Sequence, residues 1–170
     1  RNLRADDTGI SSIQVKQQQG TAYIPYTDRQ LSWHTDGYYN EPDRQIHGWA
    51  LYCVRQAAEG GESQLMDHEM AYLMLRDEDP AMIRALMQPD AMTIPANREE
   101  GDEIRPDHSG PVFTVTPTGR LHMRYSARKR NIIWKDDVDT LKARDFITAL
   151  FRDENAPIYT YSLKPGEGVV

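Results

Sequence analysis

Apolar positions along this chain fall in short bursts, not long stripes. Residues 22–26, 46–55, 63–66, 91–95, 111–116, 120–126 and 158–163 carry alternating or continuous apolar runs of strand length. Glu59-Gly60-Gly61, Pro117-Thr118-Gly119 and Pro165-Gly166 punctuate them as turns, and Val169 and Val170 read as the opening of one more strand. Three segments have the helical period instead. One starts at Asp67, an N-cap residue, with Met70, Leu73 and Met74 as its predicted core stripe. The second starts at Asp79-Pro80, a cap followed by proline at the first helical position, and runs through Met82, Ile83 and Leu86. The third covers residues 137–152, with Leu141, Phe146, Ile147, Leu150 and Phe151 on one face. Strands and helices do not alternate as a parallel nucleotide-binding sheet requires. The predicted class is mainly β with helical cover, a β-sandwich or jelly roll.

The 170 residues fit one domain and are enough to bury a core without staples. With 39% apolar and 27% charged residues the composition is that of a globular chain. The formal net charge of −6 leaves no basic footprint for phosphate neutralisation, so nucleic acid is not an expected partner. No run approaches the ~20 apolar residues of a membrane span, and the polar opening Arg1-Asn2-Leu3-Arg4 is no signal peptide. That opening lacks Met, so the chain is expected to start inside a longer gene product. A single cysteine, Cys53, lies in an apolar run; this suits a packing role in a reducing, cytoplasmic setting. Basic residues gather at Arg120, Arg124, Arg128, Lys129 and Arg130. They read either as a solvated strand end or as a clamp for an anionic substrate.

The chemistry concentrates in Leu31-Ser32-Trp33-His34-Thr35-Asp36-Gly37-Tyr38-Tyr39. On an extended segment, residues i and i+2 project from one face, so His34 and Asp36 can aim an imidazole nitrogen and a carboxylate oxygen at one point. Two such ligands plus a second histidine from elsewhere make the facial triad of non-haem iron(II) enzymes, with three coordination positions left open. The dipeptide alone is a weak motif, equally at home in a surface salt bridge or capped turn.

Context sharpens it. Trp33-His34-Thr35-Asp36 resembles the iron-binding entry motif of the taurine dioxygenase-like family, which includes the γ-butyrobetaine hydroxylases. Further along, Gly60-Gly61-Glu62-Ser63 is similar to that family's Gly-Gly-acid-Thr/Ser motif. Leu163-Lys164-Pro165-Gly166-Glu167-Gly168-Val169-Val170 looks like the strand leading to the family's distal histidine, and the resemblance covers residues 20–170. It implies a double-stranded β-helix and iron(II) held by His34 and Asp36. It also implies 2-oxoglutarate, touched by Ser63, as co-substrate, and O₂ consumed in hydroxylating a C–H bond. The competing role for Ser63 is to satisfy backbone at a tight turn. Tyr38, Tyr39 and Asn40 follow the pair and either line the substrate mouth or pack as ordinary residues. Arg124 either binds a substrate carboxylate or makes a salt bridge at the barrel end. The partner is a small molecule; a homo-oligomer is left open.

The family also needs a distal histidine and then an arginine for the far carboxylate of 2-oxoglutarate. His68 sits at a helix start, His108 in a polar loop and His47 at a strand start. His122, beside Arg124-Tyr125-Ser126, resembles the clamp of plant-type oxygenases, but Thr114 stands where that pattern places its histidine, and His122 is read as a decoy. The expectation is a domain incomplete at both ends. Its third ligand is a histidine within about ten residues beyond Val170, followed by the arginine, and its last strands are missing. Two other readings stay open: a non-catalytic β-barrel binding module, and a metal-assisted hydrolase holding zinc at His34 and Asp36.

Overall fold

The computed structural model describes residues 10–15, 24–99, 102–128 and 132–170. It comprises two units, residues 1–32 and 33–170. In the first, Ile24–Tyr26 forms a 3₁₀ turn in which the Thr27 N–H and hydroxyl both donate to the Ile24 carbonyl, at 2.9 and 2.7 Å. The strand predicted at 22–26 is therefore a helical turn at its described end, with Pro25 fixing φ and removing a ladder donor; residues 22 and 23 lie outside the described residues.

The second unit mixes three helices with small antiparallel sheets. Its elements are β1 (Leu51–Tyr52), β2 (Ser63–Leu65), α1 (His68–Glu78), α2 (Pro80–Leu86), β3 (Met92–Ile94), β4 (Asn97–Glu99), β5 (Asp102–Arg105), β6 (His108–Gly110), β7 (Phe113–Val115), β8 (Leu121–Met123), β9 (Ile133–Trp134), α3 (Val138–Leu150), β10 (Tyr159–Tyr161) and β11 (Gly168–Val169). Two ladders are hairpins, β4–β5 and β7–β8. The latter turns where Pro117-Thr118-Gly119 predicts, with the Thr116 N–H donating to Arg120 O at 2.8 Å. The others join distant segments: β6–β3–β9, β2 with β10, and β1 with β11. No described helix is long and apolar enough to cross a membrane.

Local chemistry explains the helices. Asp67 caps α1 by accepting the Glu69 N–H at 2.8 Å. Asp79 closes α1 through its own N–H to Leu75 O, then opens α2 by accepting the Ala81 N–H at 2.9 Å. Its other carboxylate oxygen takes Lys142 Nζ at 2.8 Å, tying the α1–α2 corner to α3. Lys142 and the Ala81 N–H hold the Asp79 carboxyl below its ordinary pKa. Asp137 caps α3 by accepting both the N–H and the hydroxyl of Thr140.

The core gathers Leu75 from α1, Met82, Ile83 and Leu86 from α2, Ala143 and Ile147 from α3, and Met92, Ile94, Val112, Phe113, Met123 and Tyr125 from the strands and their flanks. The α2 stripe is as predicted. On α1 the buried residues are Ala71 and Leu75, while Met70 is 39% exposed and Leu73 and Met74 are half-buried. Small Ala71 allows the close approach to α2 and α3, and packing, not apolar count, selects the face. Of the run at 46–55 only Leu51 and Tyr52 form a strand, paired with Val169 and Gly168; Cys53 continues the contact, its N–H donating to Glu167 O and its carbonyl accepting the Gly166 N–H, both at 2.9 Å. The strands β4, β5, β6 and β9 are absent from the sequence reading. His108, read as a loop residue, lies in β6 opposite Ile94.

Candidate metal and co-substrate site

The segment carrying His34 and Asp36 is fastened to the chain that leaves β8. His34 forms an isolated antiparallel bridge with Ser126. The Ala127 N–H donates to Trp33 O at 2.8 Å and the Thr35 N–H to Tyr125 O at 3.0 Å. Trp33 stacks on Phe151 with centroids 4.4 Å apart and planes 7° from parallel, and the Tyr125 ring lies 5.6 Å from Phe151. The polar pair thus stands on an aromatic footing, where the alternation of an extended segment sends Trp33 and His34 to opposite sides.

His34 Nε2 lies 3.4 Å from Asp36 Oδ1, with the side chains 29% and 48% exposed. The convergence does not come from a straight strand. His34 carries the bridge to Ser126, Thr35 is still bonded to Tyr125, and Asp36 to Tyr39 form a turn closed by the Asn40 N–H donating to Gly37 O at 2.8 Å. Gly37 has φ +64°, which favours glycine, and a Cβ there would push on the Asn40 and Ile46 side chains, meeting Asn40 Nδ2 at 2.7 Å and Ile46 at 2.8 Å. The donor set fits one divalent ion. Two donors each about 2.1 Å from a shared ion, at 90–110° to one another, are about 3.0–3.4 Å apart. Among the described residues no group of three or more His, Cys, Asp or Glu side chains can hold a metal.

Ser63 opens β2, opposite Tyr161 of β10, directly after the tight turn at Gly60 and Gly61 with φ +67° and +84°. Among the described residues no hydrogen bond runs from its hydroxyl to that turn. Tyr38 is 8% exposed and belongs to the hydrophobic core; its place is packing. Tyr39 is 47% exposed and meets the Tyr38 ring edge-on at 5.3 Å. Asn40 donates from Nδ2 to Arg44 O at 3.0 Å, which closes the loop beyond the turn.

Arg124 is buried. Its Nη2 donates to the carbonyls of Met92 and Gly110, its Nε to Pro111 O at 3.2 Å and its Nη1 to His108 O at 3.4 Å. Burial draws its pKa down to about 10, with Glu41 opposing. A guanidinium whose N–H groups point at backbone carbonyls holds strands together, a different geometry from both the carboxylate clamp and the barrel-end salt bridge. Gly110 makes room for it, since a Cβ there would sit 3.3 Å from Nη2. Beside it His108 Nδ1 lies 3.2 Å from Glu41 Oε2, yet desolvation and the nearby Arg124 charge hold the His108 pKa below its ordinary value. His122 has its ring edge-to-face with His47, centroids 5.4 Å apart, and its pKa is lowered by burial and by His47. His68 Nε2 is 3.1 Å from Leu121 O. The sequence reading missed the Glu41–His108–Arg124 grouping and the backbone fastening of Thr35; neither has a local pattern.

The sequence model of the family described as taurine catabolism dioxygenase TauD, TfdA family matches residues 2–170. A uridine-5'-phosphate dioxygenase of Amycolatopsis sp is 36% identical over 94 residues, 55% of this chain and 33% of that protein. A second protein of that name, from Streptomyces sp, is 29% identical over 127 residues, 75% of this chain and 45% of that protein. The chain matches less than half the length of either relative.

Proposed function

The chain belongs to the TauD, TfdA family of dioxygenases, and on that premise we propose that it is part of an iron(II)- and 2-oxoglutarate-dependent oxygenase acting on a C–H bond of a small anionic substrate. The observation that carries the reading is the approach of His34 Nε2 to Asp36 Oδ1, at 3.4 Å on one side of an anchored segment. When bound with 2-oxoglutarate and O₂, iron(II) supplies the oxidation: one oxygen atom enters the substrate as hydroxyl, the other enters succinate, and CO₂ leaves. His34 and Asp36 would hold the ion and leave one side open. The carboxylate offsets part of its charge, and the bridge to Ser126 fixes the imidazole's direction. Ser63 would donate its hydroxyl to 2-oxoglutarate from the start of β2. In this reading the short ladders are parts of a double-stranded β-helix. In this reading the third ligand is a histidine beyond Val170. The setting is cytoplasmic.

An anionic substrate is supported by the names of the relatives, which act on uridine 5'-phosphate. Uridine 5'-phosphate is the first compound to try, within a panel of small acids and nucleotides given to the full-length enzyme with iron(II) and 2-oxoglutarate. The expected result is succinate release that one panel member stimulates. Metal-dependent hydrolysis without 2-oxoglutarate would return the site to the hydrolase reading, and failure to bind iron(II) to the binding module.

Ser63→Ala removes one hydrogen bond to a charged acceptor, worth roughly 1.5–3 kcal/mol. The KM for 2-oxoglutarate should rise about ten- to a hundredfold by that figure, with a smaller change in kcat. Steady-state kinetics with varied 2-oxoglutarate decides; an unchanged KM takes Ser63 out of the co-substrate site.

A further inference from the structure

The structure assigns a positioning role to Thr35, the residue between the two ligands: its hydroxyl takes the place of its own carbonyl in the ladder and thereby turns Asp36 toward His34. This rests on the metal-binding reading above. In a regular antiparallel ladder Thr35 and Tyr125 would exchange two backbone bonds, each N–H donating to the other's carbonyl. Half of that exchange is present, with the Thr35 N–H donating to Tyr125 O at 3.0 Å. The other half is rerouted, and the Tyr125 N–H donates to Thr35 Oγ1, also at 3.0 Å.

The rerouting has a mechanical consequence. With its carbonyl released from the ladder, the backbone leaves Tyr125 directly after Thr35 and enters the turn that begins at Asp36. Were the carbonyl to accept the Tyr125 N–H, residue 36 would be drawn on along the strand opposite Arg124. Its side chain would then stand about 6–7 Å from that of His34, two residues of strand rise. The hydroxyl therefore lets one end of the motif stay clamped while the other folds back. Tyr125 is a firm anchor for this, being 3% exposed and packed by Phe151 and Trp134.

Valine has nearly the shape of threonine and no acceptor, whereas serine keeps the hydroxyl. In Thr35→Val the buried Tyr125 N–H must either go unpaired or pull the Thr35 carbonyl into the ladder, and either change moves Asp36. The test uses the full-length enzyme with Mn(II), a redox-silent stand-in for iron(II), read by electron paramagnetic resonance. Hydrogen exchange at the Tyr125 amide is followed in parallel. Thr35→Val should weaken Mn(II) binding by about 10–100-fold, the usual effect of losing a group that orients a ligand, and should speed Tyr125 exchange. Thr35→Ser should stay near wild type in both. Wild-type Mn(II) affinity in Thr35→Val, or equal losses in the valine and serine variants, overturns the assignment. If the wild type itself binds no Mn(II), the metal reading fails. The clamp is then judged by the amide alone: faster exchange in Thr35→Val reversed in Thr35→Ser supports it, and unchanged exchange overturns it.

Discussion

Asp36→Ala should eliminate 2-oxoglutarate turnover by the full-length enzyme, with iron-dependent succinate release falling by more than about a hundredfold. Loss of a group that merely orients a ligand costs 10–100-fold in affinity or activity; loss of the only anionic ligand removes both a coordination position and the charge that offsets the dication. The fold should tolerate the change. The Asp36 side chain is 48% exposed and, among the described residues, its ion pair is with His34, so thermal unfolding should shift within the roughly 0.5 kcal/mol of ordinary surface substitutions. Succinate assays and a melting curve on the same preparation separate the two effects. Normal turnover in a folded Asp36→Ala variant removes Asp36 from the metal site. A large loss of Tm would instead make it a structural residue.

Arg124→Met is the substitution with the largest expected cost in stability. The guanidinium bridges carbonyls from β3 (Met92), β6 (His108, Gly110) and the turn after it (Pro111). The Arg124 N–H in turn donates to Val112 O at 2.7 Å. Methionine fills much of the volume and offers no donor, leaving several buried carbonyls short of a partner. At about 1–3 kcal/mol for each buried group left unsatisfied, the combined loss should be on the order of 3–5 kcal/mol, a large part of the 5–15 kcal/mol typical of a domain. Arg124→Lys should fall between, since an ammonium presents three donors at a point and cannot match a planar fork. Urea midpoints should rank arginine, then lysine, then methionine. A methionine variant as stable as wild type would show that these bonds add nothing net and would reopen a substrate role for Arg124. The same geometry bears on the site, because residues 125–127, which carry the His34 segment, directly follow Arg124.

Sequence alone determined whatever is decided within a few residues. Asp67, Asp79 and Asp137 cap the helices predicted from them, because an N-cap bonds to N–H groups two or three residues ahead. The turn at residues 117–119 and the Gly60-Gly61 turn are local backbone preferences. His34 and Asp36 were legible as a pair because two residues so close along the chain must be neighbours. Their actual convergence needed more: the turn at Gly37, the anchoring at Tyr125 and the aromatic base under Trp33 join residues far apart in sequence. Tertiary structure alone decided the rest. The ladders β1–β11 and β2–β10 match segments of two or three residues across most of the chain, and strands that short carry too little pattern to name their partners. It also chose Ala71 and Leu75 over Met70 as the buried face of α1, since side-chain volume against α2 and α3 sets how close the helices come. Arg124 shows the limit most clearly. Its charge suggested a ligand for an anion, but a side chain answers to the groups that surround it, and here those are the backbone carbonyls of β3, β6 and the turn beyond.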